Sequence, residues 1–270
     1  ASLARWREVI GGALDVMIGR RMPAAGDIDA EKVDDGQEAE AAIEKWLVRY
    51  RPGREEVPVL VLRPAAEAKA YVICIEEQGK AALLDADGNP RADVKKLLAE
   101  GKAVVGLDLF GQGEFATNGQ PMTTNRMDPA GEKRRQYAGY TFGYNHPLFS
   151  QRVHDILSVV AWLKAGPAQN SPIEMRGSAG AGHWAAAARA QAGGAVERAE
   201  IDTSGFRFAH INTLDDRDFL PGAVKYGDLP AMLALSAPHR LILRGENEVP
   251  PILKAAYAAA GNESAVTLDE

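Results

Sequence analysis

The chain has 270 residues, of which 46% are hydrophobic and 25% charged, a balance typical of one large globular domain. Its formal net charge of −6 argues against a nucleic-acid-binding protein, because phosphate contacts require a basic surface. The single cysteine, Cys74, excludes an intrachain disulfide bond, and no apolar stretch approaches the ~20 residues of a transmembrane helix.

The N-terminal region is predicted to lie outside the main domain. The chain begins at Ala1 without a recognisable signal peptide, which is consistent with removal of a leader, as in secreted or periplasmic proteins, or of an upstream domain. Apolar residues at helical spacing predict an amphipathic helix over 3–17. Residues 22–40 are rich in charge, glycine and alanine and are predicted to form a loop. We therefore expect an N-terminal helix and linker over 1–40 and a domain over 41–270.

An antiparallel hairpin is predicted at the start of that domain. Apolar and polar residues alternate over 46–50, a pattern typical of a half-buried strand. Pro52 and Gly53 favour a turn, and residues 57–63 are predicted to run back as a second strand.

Strand and helix patterns alternate through the rest of the chain. The predicted strands are 71–75, 103–109, 173–176, 199–202, 240–243 and 265–268. The predicted helices are 92–100, 148–164, 182–192, 229–235 and 251–259, and long loops are predicted over 111–146 and 204–227. Because such alternation builds parallel strand–helix–strand units, we expect a doubly wound α/β fold. Its mostly parallel sheet is predicted to have eight strands, including the antiparallel N-terminal hairpin.

Three segments carry patterns in a fixed order along the chain. Residues 106–114 read GLDLFGQGE, residues 144–157 contain YNHP and QRVHDIL, and residues 173–182 read IEMRGSAGAG. Together they resemble the α/β-hydrolase family, particularly its acetylxylan-esterase-like and dienelactone-hydrolase-like branches, over residues 45–270. The resemblance implies a strand-to-helix turn for a nucleophile at 177–182. In an active member it implies hydrolysis of a carboxylic ester, such as an acetylated carbohydrate.

The nucleophile position that the resemblance implies falls at Ser178 or Ala179. The turn is strained, so the residues two before and two after the nucleophile must be small. With Ala179 at the apex these are Gly177 and Ala181, whereas with Ser178 there one of them would be Arg176. This favours an apical Ala179 with a positive φ, and Ser178 directed away from the cleft. Alanine cannot attack a carbonyl, and both natural loss and a serine-to-alanine substitution stay open as its origin.

The catalytic histidine of the family has no evident counterpart. The family places it after its eighth strand, but no histidine follows the last predicted strand before Glu270. His154 and His239 are expected to be structural, and His183 lies in a first helical turn that disfavours a charged imidazole. His210, in the loop after the sixth strand, is the candidate for a replacement base. A truncated chain would show the same absence as natural loss.

Carboxylates at strand ends are candidates for the acid of a triad. Asp202 ends the sixth strand, and Glu246 follows the seventh, which is the usual place in the family. Residues 76–80 read EEQGK where many members have His-Gly, and two carboxylates there would oppose a developing oxyanion. The oxyanion cleft that the resemblance implies comprises Gln78, Gly79 and Gly180.

Two other functional classes stay open. One is a non-catalytic hydrolase-like domain that serves binding or an adjoining domain of a longer protein. The other is dinucleotide binding, because 177–182 opens a helix and Asp202 ends the next strand about twenty residues later. Its glycine order, G-x-x-G-x-G, and its place on the fifth strand argue against it. We expect no metal and no cofactor, no nucleic-acid or membrane partner, and a small-molecule or carbohydrate ester as ligand if the chain is active.

Overall fold

The backbone is organised around one mixed sheet. The computed structural model describes residues 2–38, 41–116, 120–125 and 134–269, so Glu270 lies outside the described residues. Within these ranges the strands are β1 (Ile28–Glu38), β2 (Ala41–Tyr50), β3 (Glu55–Arg63), β4 (Ala70–Ile75), β5 (Lys102–Leu107), β6 (Ile173–Gly177), β7 (Arg198–Asp202), β8 (Arg240–Arg244) and β9 (Val266–Leu268). Their order across the sheet is β1-β2-β3-β5-β4-β6-β7-β8-β9.

The direction of the strands defines the functional edge of the sheet. β1, β2 and β3 pair antiparallel, and β3 pairs antiparallel with β5. The strands β4 to β9 run parallel, so their carboxyl ends meet at one edge, here called the carboxyl edge. The turn between β2 and β3 reaches the same edge, because Val59 lies opposite Leu107. The predicted mostly parallel sheet with an antiparallel N-terminal hairpin is confirmed.

The sheet of the described residues has nine strands, one more than the eight predicted. Residues 22–40 are predicted to be a loop, but Ile28–Glu38 forms β1 and pairs with β2 along its length. β1 is an edge strand, and charged contacts such as that of Lys45 with Asp34 link it to β2. An edge strand of this kind lacks apolar alternation, so the loop prediction is wrong for this segment. Without β1 the predicted strand numbers hold, and β6 is the predicted fifth strand.

The helices of the described residues flank the sheet. They are α1 (Leu3–Ile18), α2 (Ala92–Ala99), α3 (Arg134–Tyr144), α4 (Leu148–Ala165), α5 (Gly182–Ala192), α6 (Asp228–Ala234) and α7 (Pro251–Ala259). The loop predicted over 111–146 is wrong where α3 forms. Within the described ranges, no helix combines the length and the apolar character needed to cross a membrane.

The two faces of the sheet are covered by different helices. On one face, Val94 and Leu97 of α2 pack in a small cluster with Val72 and Val104 of the sheet. On the other face lies the larger core, to which α1, α4, α5, α6 and α7 contribute Leu14, Val153, Trp184, Met232 and Leu253. Helices on both faces make the fold doubly wound, as the sequence predicts.

The α2 face carries charge where β6, β7 and β8 approach the carboxyl edge. Glu200 of β7 pairs with Arg176 (Nε–Oε2, 3.5 Å) and with Arg244 (Nη1–Oε1, 2.9 Å). Arg176 lies beside Cys74 in the sheet register and therefore projects from the same face as the α2 cluster. This part of the sheet is polar up to the turn that follows β6.

Candidate active site

A strand-to-helix turn at the carboxyl edge joins β6 to α5, at the predicted position. The residues 185–188 of α5 are buried alanines, which bring the helix close to the sheet. A methyl group added at Gly182 would overlap the carbonyl oxygen of Asp202, at the end of β7. Small residues therefore permit the close approach of α5 to the sheet, and the predicted packing is confirmed.

The backbone after β6 forms a hydrogen-bonded β-turn. The Ser178 amide donates to the Ile75 carbonyl (3.1 Å), and the Ala181 amide donates to the Ser178 carbonyl (2.9 Å). Gly180 has a φ of +80°, as the third residue of a type II turn requires, whereas Ser178 and Ala179 do not have positive φ values. The prediction of a left-handed Ala179 is therefore wrong. Glycine takes that conformation without a steric penalty and occupies the position instead.

Gly180 thus has the positive φ that the nucleophile of a nucleophile elbow adopts. The residues two before and two after it are Ser178 and Gly182, which are small, as that turn demands. The sequence interpretation weighs only Ser178 and Ala179 and misses this alternative. The signal that could have found it is the glycine itself, the residue type that most readily adopts a positive φ.

An ion pair covers Gly180. A methyl group built on Gly180 would lie 2.5 Å from Oε2 of Glu77. The other carboxylate oxygen of Glu77, Oε1, accepts from Nη2 of Arg217 at 2.5 Å. The side chain of Arg217 also lies 3.3 Å from Asp218 (Nε–Oδ2). The predicted cleft residue Gly180 therefore faces a carboxylate, and no side chain of its own enters the space above the turn.

Two backbone amides of the segment 76–80 already have partners. Gly79 is buried and donates to the Glu76 carbonyl (3.1 Å), and the Lys80 amide donates to Oδ1 of Asp108 (2.9 Å). Gln78 is exposed. An oxyanion needs amide groups that are free to turn toward it, and those of Gly79 and Lys80 are used within the fold.

A buried histidine–carboxylate pair lies in the first turn of α5. Nε2 of His183 is 2.9 Å from Oδ1 of Asp218, and the indole nitrogen of Trp184 donates to the same oxygen at 2.7 Å. The imidazole stacks on Phe206 with ring centroids 4.2 Å apart. Burial raises the pKa of Asp218, but the charge and hydrogen bond of His183, followed by Arg217 and Trp184, bring it below its ordinary value. The sequence interpretation names His183 but misses Asp218, one of several aspartates in the loop 204–227.

The predicted replacement base and acids are dispersed. His210 is exposed in a short turn after β7. Glu246 accepts two bonds from Arg207 (2.8 and 2.7 Å) and one from Thr203 (2.7 Å). Burial raises the pKa of Glu246, but these partners lower it overall. Asp202 accepts from the amide and the hydroxyl of the exposed Ser204 (2.8 and 3.0 Å).

Three of the predicted site residues share one small cleft. Ser178, Ala179 and Asp202 line a space of about 170 Å³ on the α2 face of the carboxyl edge, and His210 and Glu246 are absent from its described lining. Ser178 therefore lines a small cleft on the α2 face, and the described lining of this cleft does not include Gly180. Within the described ranges, His, Cys, Asp and Glu form no group of three or more that could hold a metal ion.

The hydroxyl of Ser178 has two competing partners in that cleft. Its Oγ lies 3.3 Å from the Ile75 carbonyl, to which it donates, and it also reaches the Glu76 carboxyl. Burial raises the pKa of Glu76, and the bond from Ser178 opposes this only in part. Because a hydroxyl has one hydrogen, donation to the carbonyl and donation to Glu76 exclude each other.

Several solved structures of similar fold are esterases. The sequence matches no family model and no curated protein. A protein from Bacteroides fragilis assigned as an acetyl xylan esterase aligns with a TM-score of 0.70 at 16% identity, over 98% of this chain and 74% of its own. A promiscuous CE15 esterase from a marine bacterial metagenome aligns with a TM-score of 0.63 at 12% identity, over 97% and 82%.

A third similar structure is a cold-adapted esterase from an Arctic intertidal metagenomic library. It aligns with a TM-score of 0.50 at 13% identity, over 88% of this chain and 87% of its own. Together with the strand order and the helices on both faces, these similarities show that the chain has the α/β-hydrolase fold. At identities this low the similarity concerns the fold and does not extend to the activity.

Proposed function

We propose that this chain is an α/β-hydrolase-fold domain with an incomplete catalytic triad, which acts as a non-catalytic binding or accessory domain. The observation that carries this proposal is the glycine at the left-handed position of the turn, Gly180, beneath the ion pair of Glu77 with Arg217. Acyl transfer requires a nucleophile at that point, and glycine supplies none.

The buried histidine–carboxylate pair also fails to supply a base. In a catalytic triad, Nδ1 of the histidine faces the acid and Nε2 faces the nucleophile. Here Nε2 of His183 faces Asp218, and the imidazole is enclosed by the ring of Phe206. The pair therefore resembles part of a triad in composition, but it serves the packing of α5 and the loop 204–227.

Stabilisation of an oxyanion is opposed by the same geometry. Glu77 places a carboxylate above the turn, and negative charge there raises the energy of a developing oxyanion. Moving this carboxylate aside would break its bond to Arg217, a cost that an active esterase would have to meet in every turnover. The same carboxylate opposes the dinucleotide alternative, because it lies where a pyrophosphate would approach the start of α5.

Hydrolysis of p-nitrophenyl acetate tests the proposal. The wild type and a Ser178→Ala variant should hydrolyse the ester at the same rate, and neither should show a burst. A fluorophosphonate probe should label neither protein. If Ser178→Ala and His210→Ala each abolished a burst seen in the wild type, a working nucleophile and base would be present and the proposal would be wrong.

A second candidate function is ester hydrolysis by Ser178, favoured by its contact with Glu76. In this scheme the Ser178 oxygen attacks the ester carbonyl, its proton passes to the Glu76 carboxylate, and the alcohol leaves with a proton. Water then releases the acid and restores the serine. The substrate would be a small-molecule or carbohydrate ester. Loss of a measurable rate in both Ser178→Ala and Glu76→Gln, with folding retained, would favour this candidate over the non-catalytic one.

A further inference from the structure

A second cavity lies at the carboxyl edge, away from the turn after β6. It has a volume of about 540 Å³ and is bounded by the turn between β2 and β3, the loop after β5, the end of α1 and one side of α4. Clefts of roughly 300–1,000 Å³ hold most small-molecule ligands. The cavity is therefore large enough for a small organic molecule.

Arginine dominates the charge of this cavity. Its described lining includes four arginines against three carboxyl groups, which belong to Glu55, Glu56 and Asp155. Glu55 binds Arg20 (2.6 Å), and Glu56 binds Arg49 (2.6 Å). Two of the three carboxylates are thus paired with arginines of the cavity wall. The other two arginines of the wall are not paired in this way.

Arg51 and Arg54 are the cations left over, at the tip of the turn between β2 and β3. Among the residues that the structure describes, neither has a carboxylate partner. Arg51 donates to the Gly26 carbonyl, which leaves its charge uncompensated. Arg54 has a φ of +53°, a conformation that a residue with a side chain rarely adopts and that is often found at binding sites.

An apolar wall faces these cations. Phe110 and Phe115, in and beyond the loop after β5, have ring centroids 6.1 Å apart and remain 41% and 36% exposed. The Phe110 amide donates to Asp155 at 2.7 Å, which fixes this loop against α4. Partly exposed aromatic rings beside free guanidinium groups are suited to a ligand with one apolar and one anionic end.

We propose that this cavity binds an organic carboxylate with an apolar or aromatic body, held by Arg51 and Arg54 and packed against Phe110 and Phe115. The guanidinium groups supply bidentate donors of the kind that recognise a carboxylate. The inference rests on the proposed binding function, for which it names the class of ligand. It concerns a different place from the turn at Gly180, so hydrolysis and binding are measured separately.

Calorimetric titration of the full chain with benzoate tests the role of the arginine charge. Arg54→Asn removes the charge but keeps a residue that tolerates the left-handed conformation. We expect it to weaken benzoate binding by about tenfold, the loss typical of one charge-assisted bond. The control is Arg5→Gln, an arginine on α1 that is 64% exposed and outside the cavity, and it should bind benzoate as the wild type does.

Two further ligands separate the parts of the site. Benzyl alcohol, which has the ring without the charge, should bind at least about tenfold more weakly than benzoate. The variant Phe115→Ala should bind benzoate more weakly than the wild type does, but its binding of acetate should be unchanged. Equal affinity of Arg54→Asn and Arg5→Gln for benzoate, equal binding of benzoate and benzyl alcohol, or no binding to the wild type would each overturn the proposal. Ester hydrolysis by the wild type would instead contradict the proposed function and leave these affinities unaffected.

Discussion

Asp218 shows how a single buried carboxylate organises the residues around the turn. It accepts from Trp184, lies against His183 and contacts Arg217, which in turn holds Glu77 above Gly180. Because Asp218 is buried, its charge depends on these partners for stabilisation. Asp218 therefore supports, through Arg217, the ion pair that covers the turn.

At the residue scale, we predict that Asp218→Asn destabilises the protein, and more at neutral than at acidic pH. The pKa of Asp218 is lowered in the folded chain, so its charge stabilises the fold at pH values above the ordinary pKa of 3.8. This stabilisation is lost as the pH falls from 3.8 through the lowered pKa. Asparagine still accepts from Trp184 but loses the charge. We expect a loss of about 1–3 kcal/mol in the free energy of unfolding at pH 7. Urea unfolding should show this difference shrinking by pH 3; a difference that did not change with pH would contradict the account.

At the scale of elements, the close contact between α5 and β7 allows a test of how tightly the helix packs on the sheet. Alanine is favoured over glycine within a helix by about 1 kcal/mol, so propensity alone would make Gly182→Ala stabilising. The added methyl group, however, would overlap the Asp202 carbonyl, which belongs to the sheet backbone and cannot turn away. We predict that the overlap wins and that the variant loses about 3 kcal/mol in the free energy of unfolding.

The matched control for this substitution is Gly194→Ala, just beyond the end of α5. A methyl group at Gly194 meets no atom within 4 Å. Its free energy of unfolding should stay within about 0.5 kcal/mol of the wild type. Urea unfolding of both variants measures the two free energies of unfolding, and we expect equal m-values. Similar stability of the two variants would show that α5 can move away from β7.

Elements could be predicted from the sequence where burial imposes a period. α4 and α5 follow apolar helical spacing, and β4 is a continuous apolar run, so each was expected within a few residues of its observed bounds. β1 and α3 were missed, because β1 is a charged edge strand and α3 contains Gly139 and Gly143. The spacing of apolar residues along the sequence indicates which face of an element is buried. Neither β1 nor α3 has an evident apolar period.

The candidate site was predictable only in part. The order of strands and glycines located the turn, and His183 could be named from its place in α5. The partners of these residues could not be named, because Glu77 and Arg217 lie 140 positions apart and meet only through the sheet order. The φ of Gly180 likewise depends on how the turn docks between β4 and α5, and the small-neighbour rule alone pointed to Ala179.

At the scale of the whole molecule, two buried aspartates give opposite responses to pH. Asp218 is surrounded by His183, Arg217 and Trp184, whereas Asp155 of α4 lies in the wall between the core and the Arg-lined cavity. Burial raises the pKa of Asp155 to about 7, and the bond from the Phe110 amide only partly opposes this. The stability of the whole chain should therefore fall at both ends of the acid-to-neutral range, for different reasons.

The response of Asp155 leads to a prediction for the entire pH profile. In the unfolded chain this carboxyl loses its proton near 3.8, but in the folded chain only near 7. Between these pH values the folded chain binds a proton at Asp155 that the unfolded chain has lost. The free energy of unfolding therefore falls as the pH rises from 3.8 to about 7, and the contribution of Asp155 is constant above that. Asp155→Asn removes the titration and keeps an acceptor for the Phe110 amide. Its stability relative to the wild type should rise by about 4 kcal/mol from pH 4 to pH 8, since each pKa unit corresponds to about 1.4 kcal/mol.

Urea unfolding at several pH values measures this rise, with Asp87→Asn as control. Asp87 is exposed in the turn before α2, so its carboxyl has similar surroundings in the folded and unfolded chains. The stability of that variant relative to the wild type should be the same at pH 4 and pH 8. A rise of equal size in both variants would assign the effect to net charge. A flat difference for Asp155→Asn would mean that Asp155 is ionised in the folded chain across the range, held by Arg20 and Arg152 more strongly than burial opposes.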